Sequence, residues 1–366
     1  MATVQSNSSL RKTSDAGQDD KPSAVRETST RAVPSGRSHL RSLQGFQILG
    51  TGSYVPESVV PNEALSSLGC DPEWIIQRTG IRERRHAPTN MATSDLAYHA
   101  GIAALESAGV SAEEIDLIVV GTFTPDSLTP STACRLQERL GIRAAAMDVS
   151  AACAGFLYAM ITAAQFVKCG TSQKALVVGA DLLSRIVDPN DKKIYPLFGD
   201  GAGAVVLGPG SDDQGMVSYT LGSEGEGAEM LYVPAGGSRE PLTPEGIASG
   251  RQYLQMDGRG VFKWAVRLIE DSIRDVLYHA KLTTEDISLV VLHQANVRII
   301  DAACENLGFA REKMLVNLDL YGNTSAGSVP IVLDQAAKEG RLNRGDKVLM
   351  CGFGAGLSWG TTVFQW

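Results

Sequence analysis

The chain has 366 residues, of which 43% are hydrophobic and 20% are charged, and its formal net charge at pH 7 is −8. This length allows two domains or one large duplicated domain, and the composition is typical of a globular protein. No apolar run approaches the roughly 18 residues that a membrane helix needs. The six cysteines are scattered, with no C-x-x-C pair and no clustered His, which argues against a metal site and favours a reducing compartment.

Residues 1–44 differ from the rest of the chain. They contain no aromatic residue and no hydrophobic periodicity, and their net charge of +3 leaves −11 for the remainder. Because such a segment cannot bury enough surface to fold, we expect a disordered tail on a cytoplasmic protein. An organellar transit peptide is the alternative, although four acidic residues argue against it. The acidic remainder argues against a nucleic-acid partner.

From about residue 45, strand-like apolar runs alternate with helical patterns. The alternation predicts an α/β fold with largely parallel, covered sheets. The predicted elements around the centre of the chain are a helix over 92–108, a strand over 115–121, a helix over 132–140, a buried strand ending at 149, a buried helix over 156–167 and a strand over 175–179.

Cys153 lies at the turn between the strand that ends at Val149 and the helix that begins at Phe156. The sequence around it, DVSAACAGF over 148–156, has small residues that leave the sulfur accessible. The backbone N–H groups and dipole of a helix N-terminus favour the thiolate, so the position predicts a lowered pKa and a functional nucleophile. The structural alternative is a buried thiol that packs as a small hydrophobe.

The chain contains an internal repeat. SAEEIDLIVV at 111–120 matches TTEDISLVVL at 283–292 with an offset of 172, and KALVVG at 174–179 matches KVLMCG at 347–352 with an offset of 173. Between these matches, Cys153 falls opposite Ser325. We infer two copies of one unit, residues 45–215 and 216–366, with a site between them.

The second copy adds a His and an Asn. His293 follows a predicted strand over 287–292 and precedes a predicted helix over 297–307, and Asn323 lies in a turn before another helix. Single residues of these types are commonly caps. Together with Cys153 they make a nucleophile and two hydrogen-bond donors, and His293 has no carboxylate partner that would make it a proton shuttle.

Two Gly-rich stretches, 198–204 and 352–360, lie beside strands. Neither has the spacing of a phosphate-binding loop, so close backbone approach is the better interpretation. We expect the peptide N–H groups near Ala355 to face a substrate oxygen.

These motifs resemble the active-site segments of β-ketoacyl-[acyl-carrier-protein] synthase III. They are WIIQRTGIR at 74–82, DVSAACAGF at 148–156, HQAN at 293–296, YGNTS at 321–325 and GFGAG at 352–356. The resemblance covers residues 45–366. It implies an α/β, thiolase-like duplicated fold of βαβ units, with two pseudo-symmetric halves in a five-layered αβαβα arrangement, and a homodimer that needs no cofactor.

The resemblance also implies an activity. Cys153 would take an acyl group from an acyl-CoA primer, with the N–H groups of Cys153 and Ala355 as the oxyanion site. His293 and Asn323 would then stabilise the enolate that malonyl-acyl carrier protein (ACP) forms on losing CO2. Attack of this enolate on the acyl-cysteine gives β-ketoacyl-ACP and initiates fatty-acid synthesis.

Further residues carry roles through the resemblance alone. Trp74 and Arg185 would hold the adenine of CoA, and Arg78 would lie near its phosphates. Arg298 and Lys263 would dock ACP.

Two residues are assigned to the acyl pocket in the same way. Phe353 would pack beside the malonyl carboxylate. Thr129 stands at the end of the pocket where several relatives have Phe, and its smaller side chain predicts acceptance of primers longer than acetyl.

Three other functions remain to be weighed. A papain-like peptidase also uses Cys, His and Asn in this order, but its C-G-[SA]-C-[WY] segment is absent and the duplication would be unexplained. A condensing enzyme of the same fold in specialised metabolism would share every catalytic residue. A non-catalytic binding protein would have little reason to keep all three.

Overall fold

The computed structural model describes residues 34–366, which are built around two five-stranded sheets. The strands are β1 (Leu40–Gln44), β2 (Phe46–Tyr54), β3 (Val59–Pro61), β4 (Glu83–Arg85), β5 (Leu117–Gly121), β6 (Ala145–Val149), β7 (Ala175–Asp181), β8 (Gly201–Pro209), β9 (Gly215–Ser223), β10 (Leu231–Tyr232), β11 (Gln255–Met256), β12 (Leu289–Leu292), β13 (Lys347–Gly354) and β14 (Ser358–Gln365). The helices are α1 (Pro72–Thr79), α2 (Thr93–Ala108), α3 (Thr132–Leu140), α4 (Gly155–Lys168), α5 (Pro244–Ala248), α6 (Gly258–Ala280), α7 (Val297–Leu307), α8 (Leu318–Tyr321) and α9 (Ser328–Lys338).

Both sheets are mixed. The first has the strand order β2-β8-β7-β5-β6, and the second has the order β1-β9-β14-β13-β12. Strands β6, β5 and β7 are mutually parallel, as are β12 and β13, whereas the remaining pairs in both sheets are antiparallel. The prediction of largely parallel sheets is therefore wrong for the second sheet. The turn between β13 and β14 is too short for a crossover, so these neighbours must run antiparallel.

Side chains of the central strands point alternately to the two faces of each sheet, and helices cover both faces, which gives five layers. Leu117 and Val119 of β5 face a core that contains α4 and α9, whereas Ile118 and Val120 face the core under α2 and α3. In β12, Leu289 and Val291 face α4 and α9, and the opposite face packs against α6 and α7. The order of layers is α2 and α3, first sheet, α4 and α9, second sheet, α6 and α7. This arrangement confirms the predicted αβαβα fold, and α4 is the buried helix that its apolar sequence predicts.

The two halves repeat the same elements. Each contains a 3₁₀ turn followed by a central helix: Ala152–Ala154 before α4, and Ser325–Gly327 before α9. This correspondence has an offset of 173, so Cys153 is equivalent to Ala326, and the pairing of Cys153 with Ser325 is wrong by one residue.

The strand predicted to end at Val149 is less buried than expected. In β6, Ala145 is exposed and the other four residues are half-buried. The reason is its place at the edge of the first sheet, where only β5 covers one side. The corresponding position in the second sheet has only an isolated bridge between Val290 and Met314.

The predicted disordered tail is too long at its C-terminal end. Residues 40–44 form β1, which pairs antiparallel with β9 at the edge of the second sheet. Before β1, Arg37 forms ion pairs with Glu224 and Asp271. Edge hydrogen bonds and charge pairs order this segment, and neither requires the apolar periodicity whose absence prompted the prediction. The rest of the predicted tail, residues 1–33, lies outside the described residues.

Residues 34–366 show neither a membrane-spanning helix nor a metal-binding cluster. No helix there is long and apolar enough to cross a membrane. The same residues contain no group of three or more His, Cys, Asp or Glu side chains placed to hold a metal ion.

Candidate active site

Cys153, His293 and Asn323 line one cavity of about 220 Å³. They come from different places in the sequence: the turn before α4, the end of β12 and the turn before α9. The other cavity-lining residues are mostly apolar; they are Leu197, Phe198, Leu231, Met256, Gly258, Val261, Phe262, Ala295, Asn296, Ile299, Phe353 and Gly354. The cavity is smaller than the roughly 300–1,000 Å³ of typical small-molecule sites, so it suits the reacting end of a larger substrate.

Cys153 lies at the start of the central helix of the first half, as predicted, and is 6% exposed. Gly354, at the end of β13, lies directly against it. A Cβ atom added at Gly354 would be 2.8 Å from the Cβ and 3.1 Å from the Sγ of Cys153. Only glycine leaves both the sulfur and the Cys153 N–H open to the cavity at this point.

The pKa of Cys153 runs against the sequence-based expectation. Burial raises the pKa of its thiol to about 12, although a hydrogen bond from Ser325 acts in the opposite direction. The negative charge of Asp181 raises it further. The resting side chain is therefore a neutral thiol, and ionisation must be assisted when a substrate arrives.

His293 follows β12 and is 2% exposed. Its Nδ1 lies 2.6 Å from the Oγ of Ser328, and its ring meets that of Phe353 edge-on with centroids 5.1 Å apart. Burial lowers the pKa of His293 to about 3, so the ring is neutral at physiological pH. With Nδ1 occupied by Ser328, Nε2 remains for a ligand.

Asn323 is fixed by its backbone and by its side-chain oxygen. Its N–H donates to the carbonyl of Leu197 (2.8 Å), and its carbonyl accepts from the N–H of Gly199 (3.0 Å). The side-chain Oδ1 accepts from the N–H of Ser325 at 2.9 Å. Since the oxygen is occupied, the Nδ2 amide is the end left to donate into the cavity.

Sequence analysis missed three residues that support this set: Asp181, Ser325 and Ser328. Asp181 is fully buried, and its carboxylate accepts from the N–H of Ala326 at 3.1 Å and from groups of the 122–124 segment. The repeat offered a signal for Ser325, because it lies beside the position equivalent to Cys153. No sequence pattern distinguishes Asp181 from an ordinary residue at the end of a strand.

Phe353 lines the cavity, whereas Ala355, the next residue but one, is not among the lining residues, and its oxyanion role stays a prediction. Ala355 has no positive φ, and it packs on the apolar cluster that includes Phe198 and Val261. Behind Phe353, Trp264 packs edge-on at 6.5 Å and donates its Nε1–H to Glu224 at 2.8 Å. Glu224 also pairs with Arg37, which connects the segment before β1 to the cavity wall.

The residues expected to hold CoA are at the surface and do not line the cavity. Trp74 is 49% exposed, and the Arg78 guanidinium lies 5.8 Å from its ring centroid. Arg185 is exposed and donates to the carbonyl of Pro88 at 2.7 Å. Asn296, which lines the cavity, donates to the carbonyl of Arg78 and so joins α1 to the site. The clamping of adenine by Trp74 and Arg185 stays a prediction.

Lys263 and Arg298 are both exposed next to residues that line the cavity. The Arg298 guanidinium lies 5.6 Å from the ring centroid of Phe262. Arg259 and Arg267, also exposed, extend Lys263 into a basic row along α6. Their spacing of four residues is the sequence signal for such a row, because residues four apart lie on one face of a helix.

Thr129 is exposed and is not among the residues that line the cavity in this chain. Its predicted effect on primer length therefore has no basis within a single chain.

Family models and a curated relative point to the same family. Residues 147–225 and 277–366 match the family models "3-oxoacyl-[acyl-carrier-protein (ACP)] synthase III" and its "C terminal" counterpart. The chain is 58% identical to a β-ketoacyl-[acyl-carrier-protein] synthase III of Rhodopirellula baltica, over 89% of this chain and 99% of that protein.

Solved structures that resemble this chain are also condensing enzymes. The chain is similar to the 3-oxoacyl-[acyl-carrier-protein] synthase III of Aquifex aeolicus, with 43% identity, a TM-score of 0.80 and coverage of 88% of this chain and 100% of that one. It is also similar, at 37% identity and a TM-score of 0.80, to the priming β-ketosynthase of the R1128 polyketide pathway, covering 91% of this chain and 97% of that one.

Proposed function

Because this chain belongs to the 3-oxoacyl-[acyl-carrier-protein] synthase III family, we propose that its acyl-enzyme forms on Cys153 and that His293 and Asn323 serve the condensation. The chain is an acyltransferase that initiates fatty-acid synthesis. It condenses an acyl-CoA primer with malonyl-ACP by a decarboxylative Claisen reaction, which yields β-ketoacyl-ACP, CoA and CO2. The meeting of Cys153, His293 and Asn323 at one cavity carries the assignment of residues.

In the first half-reaction, the Cys153 sulfur attacks the thioester carbon of acyl-CoA. The N–H groups of Cys153 and Ala355 hold the oxyanion, and Gly354 leaves room for it. The thiol proton ends on the sulfur of the departing CoA, so the half-reaction is neutral overall. Because burial raises the pKa of Cys153 to about 12, only a small fraction of the thiol is ionised before the substrate arrives.

In the second half-reaction, malonyl-ACP loses CO2 and leaves an enolate. The Nε2–H of neutral His293 and the Nδ2–H of Asn323 donate to its oxygen, a contribution of roughly 3 kcal/mol for each donor. The Ser328 hydroxyl has a single proton and lies within hydrogen-bond distance of both Nδ1 of His293 and the carbonyl of Ser325. The donor role requires this proton to be given to Nδ1, which keeps the ring proton on Nε2. The enolate carbon attacks the acyl-cysteine and releases the Cys153 sulfur, which takes up one proton. Decarboxylation supplies the carbanion, so the proposed chemistry uses no cofactor.

The substrates would approach over the surface next to the cavity. Trp74, Arg78 and Arg185 would hold CoA, since an exposed ring and two guanidiniums suit a nucleotide. ACP would dock on Lys263 and Arg298, and the basic row on α6 supports this by extending the positive surface.

We place the enzyme in the cytoplasm as a homodimer. The edge strand β6 supports a dimer, because its outer side offers unpaired backbone groups to a second strand. Thr129 would contribute to an acyl pocket only from such a second copy. Priming of a specialised pathway is the alternative function, and the lower identity to the polyketide enzyme makes it the weaker one.

Intact-mass measurement after mixing with acetyl-, butyryl-, octanoyl- and dodecanoyl-CoA tests this proposal. We expect one acyl adduct, mapped by peptide analysis to Cys153, and the chain that loads best measures the pocket. The Cys134→Ala variant, which removes an exposed thiol, should load normally. A folded protein that takes no acyl group from any of these thioesters would contradict the assignment.

A further inference from the structure

We propose that Ser325 joins Cys153, His293 and Asn323 into one hydrogen-bonded unit, and that its hydroxyl is the donor that assists ionisation of the Cys153 sulfur. The inference rests on the proposed roles of these three residues and adds a fourth. Ser325 acts through three separate groups: its hydroxyl, its N–H and its carbonyl.

The hydroxyl contacts the reacting atom itself. The Oγ of Ser325 lies 3.3 Å from the Sγ of Cys153, and Ser325 is fully buried. A hydrogen bond to an ionised acceptor is roughly twice as strong as one between neutral groups, and its strength is greatest where water is excluded. The Ser325 hydroxyl also hydrogen-bonds to the carboxylate of Asp181, which competes with the sulfur for its proton. An ionised sulfur competes better than a neutral one, so the contact stabilises the thiolate more than the thiol and acts against the effect of burial on the pKa of Cys153.

The backbone of Ser325 orients the two donors. Its N–H occupies the side-chain oxygen of Asn323, which leaves the amide nitrogen for a substrate. Its carbonyl accepts from the Ser328 hydroxyl at 2.8 Å, and the same Oγ lies 2.6 Å from Nδ1 of His293. The Ser328 proton must turn from this carbonyl to Nδ1 before Nε2 of His293 can donate. A shift of the Ser325 peptide groups would disturb both donors at once.

The backbone conformation of Ser325 is unusual, and it allows the hydroxyl, N–H and carbonyl of this residue to make three different contacts. Its φ is +50°, in the left-handed region that costs a non-glycine residue about 1–2 kcal/mol. The equivalent residue of the first half, Ala152, has a φ of +46°. Alanine is thus already tolerated at this point of the scaffold, so Ser325→Ala removes the hydroxyl without adding backbone strain.

The test separates the hydroxyl from the backbone. At each pH between 7 and 9, we expect Ser325→Ala to be alkylated at Cys153 by iodoacetamide about tenfold more slowly than wild type. Loading from acetyl-CoA should slow by the same factor. Release of CO2 from malonyl-ACP without primer should stay within about twofold of wild type, because the backbone bonds to Asn323 and Ser328 remain. Ser325→Gly, which relieves the positive φ, should likewise slow alkylation and loading but leave the release of CO2 nearly unchanged.

A matched control uses the other buried thiol with a hydroxyl neighbour. Cys351 lies 3.2 Å from the Oγ1 of Thr361, away from the cavity lining. Thr361→Val should leave Cys153 alkylation unchanged.

Two results would overturn the inference. One is unchanged alkylation in both Ser325 variants. The other is an equal loss of alkylation and decarboxylation, which would mean that Ser325 only maintains the turn. Failure of the proposed function would look different, because wild-type protein would then be alkylated at Cys153 without being loaded by acetyl-CoA.

Discussion

The turns before the two central helices have nearly the same backbone but different chemistry. The first turn (residues 151–155) and the second turn (residues 324–328) each contain a non-glycine residue with φ near +50° and a 3₁₀ segment that leads into a helix. Each also packs its third residue against a glycine of the opposite half. Gly352 lies against the carbonyl of Cys153, and Gly179 lies against the carbonyl of Ala326.

The difference lies in what faces each backbone N–H. In the second turn, the N–H of Ala326 donates to the carboxylate of Asp181. The residue equivalent to Asp181 in the other half is Gly354, which has no side chain and leaves the Cys153 N–H open. Asp181 thus fills, with its own oxygen, the position equivalent to the one that we propose for a substrate oxyanion in the first turn. The two copies of the turn therefore differ in whether the backbone N–H is already occupied.

The strongest way to break the comparison is to move the nucleophile. In the double variant Cys153→Ala, Ala326→Cys, we expect acyl loading to fall about 10⁴-fold or more, as for removal of a nucleophile. Ala326 is 1% exposed and its N–H is held by Asp181, so a thiol there meets no substrate. Intact mass after mixing with acetyl-CoA measures this. An adduct mapped to residue 326 would show that the turns are interchangeable.

Removal of a donor should separate the two half-reactions. Asn323→Ala and His293→Ala are each expected to slow condensation by about 10²–10³-fold, as seen for single oxyanion donors, and to leave loading of Cys153 nearly intact. Rates of loading and of β-ketoacyl-ACP formation, measured separately, check this. His279→Ala, on α6 and bonded to Ser218, serves as the control. Equal loss of both rates would contradict the division of roles.

Ser328 sharpens the comparison further, because its equivalent in the first half is Gly155, which has no side chain. Ser328→Ala removes the group that holds Nδ1 of His293. We expect condensation to slow about tenfold, the effect of one hydrogen bond of about 1.4 kcal/mol, with loading unchanged. Separate measurement of the rates of loading and of β-ketoacyl-ACP formation checks this. Condensation at the wild-type rate would mean that His293 needs no help to keep its proton on Nε2.

The smallest effect concerns the shared backbone. Ala152→Gly should raise the free energy of unfolding by up to about 1 kcal/mol, since glycine tolerates positive φ. In a chain of this length the melting temperature would rise by up to about 2 °C, measurable by calorimetry. Gly69→Ala is the opposite control, because Gly69 has φ +73° and open space around its α-carbon. A lower melting temperature for Ala152→Gly would show that the methyl group of Ala152 packs usefully.

Hydrophobic periodicity predicted helix boundaries well where the apolar pattern of the helix is clear. The bounds predicted for α3 and α7 match the structure, and α4 differs by one residue at each end. These helices have clear apolar patterns and recognisable ends. The boundary of the tail failed because β1 is ordered by edge pairing with β9, and no local pattern in residues 40–44 announces a partner that lies about 175 residues away.

The sequence by itself determined the duplicated fold and the family, and it selected Cys153, His293 and Asn323 as candidate site residues. Repeats and short motifs are local, so they can be read without knowledge of distances. Only the tertiary structure decided that the Cys153 thiol is neutral at rest, because burial depends on every residue that surrounds it. It also decided that Ser325 and Asp181 support the site, since hydrogen bonds between segments more than 140 residues apart exist only once the two halves have packed together.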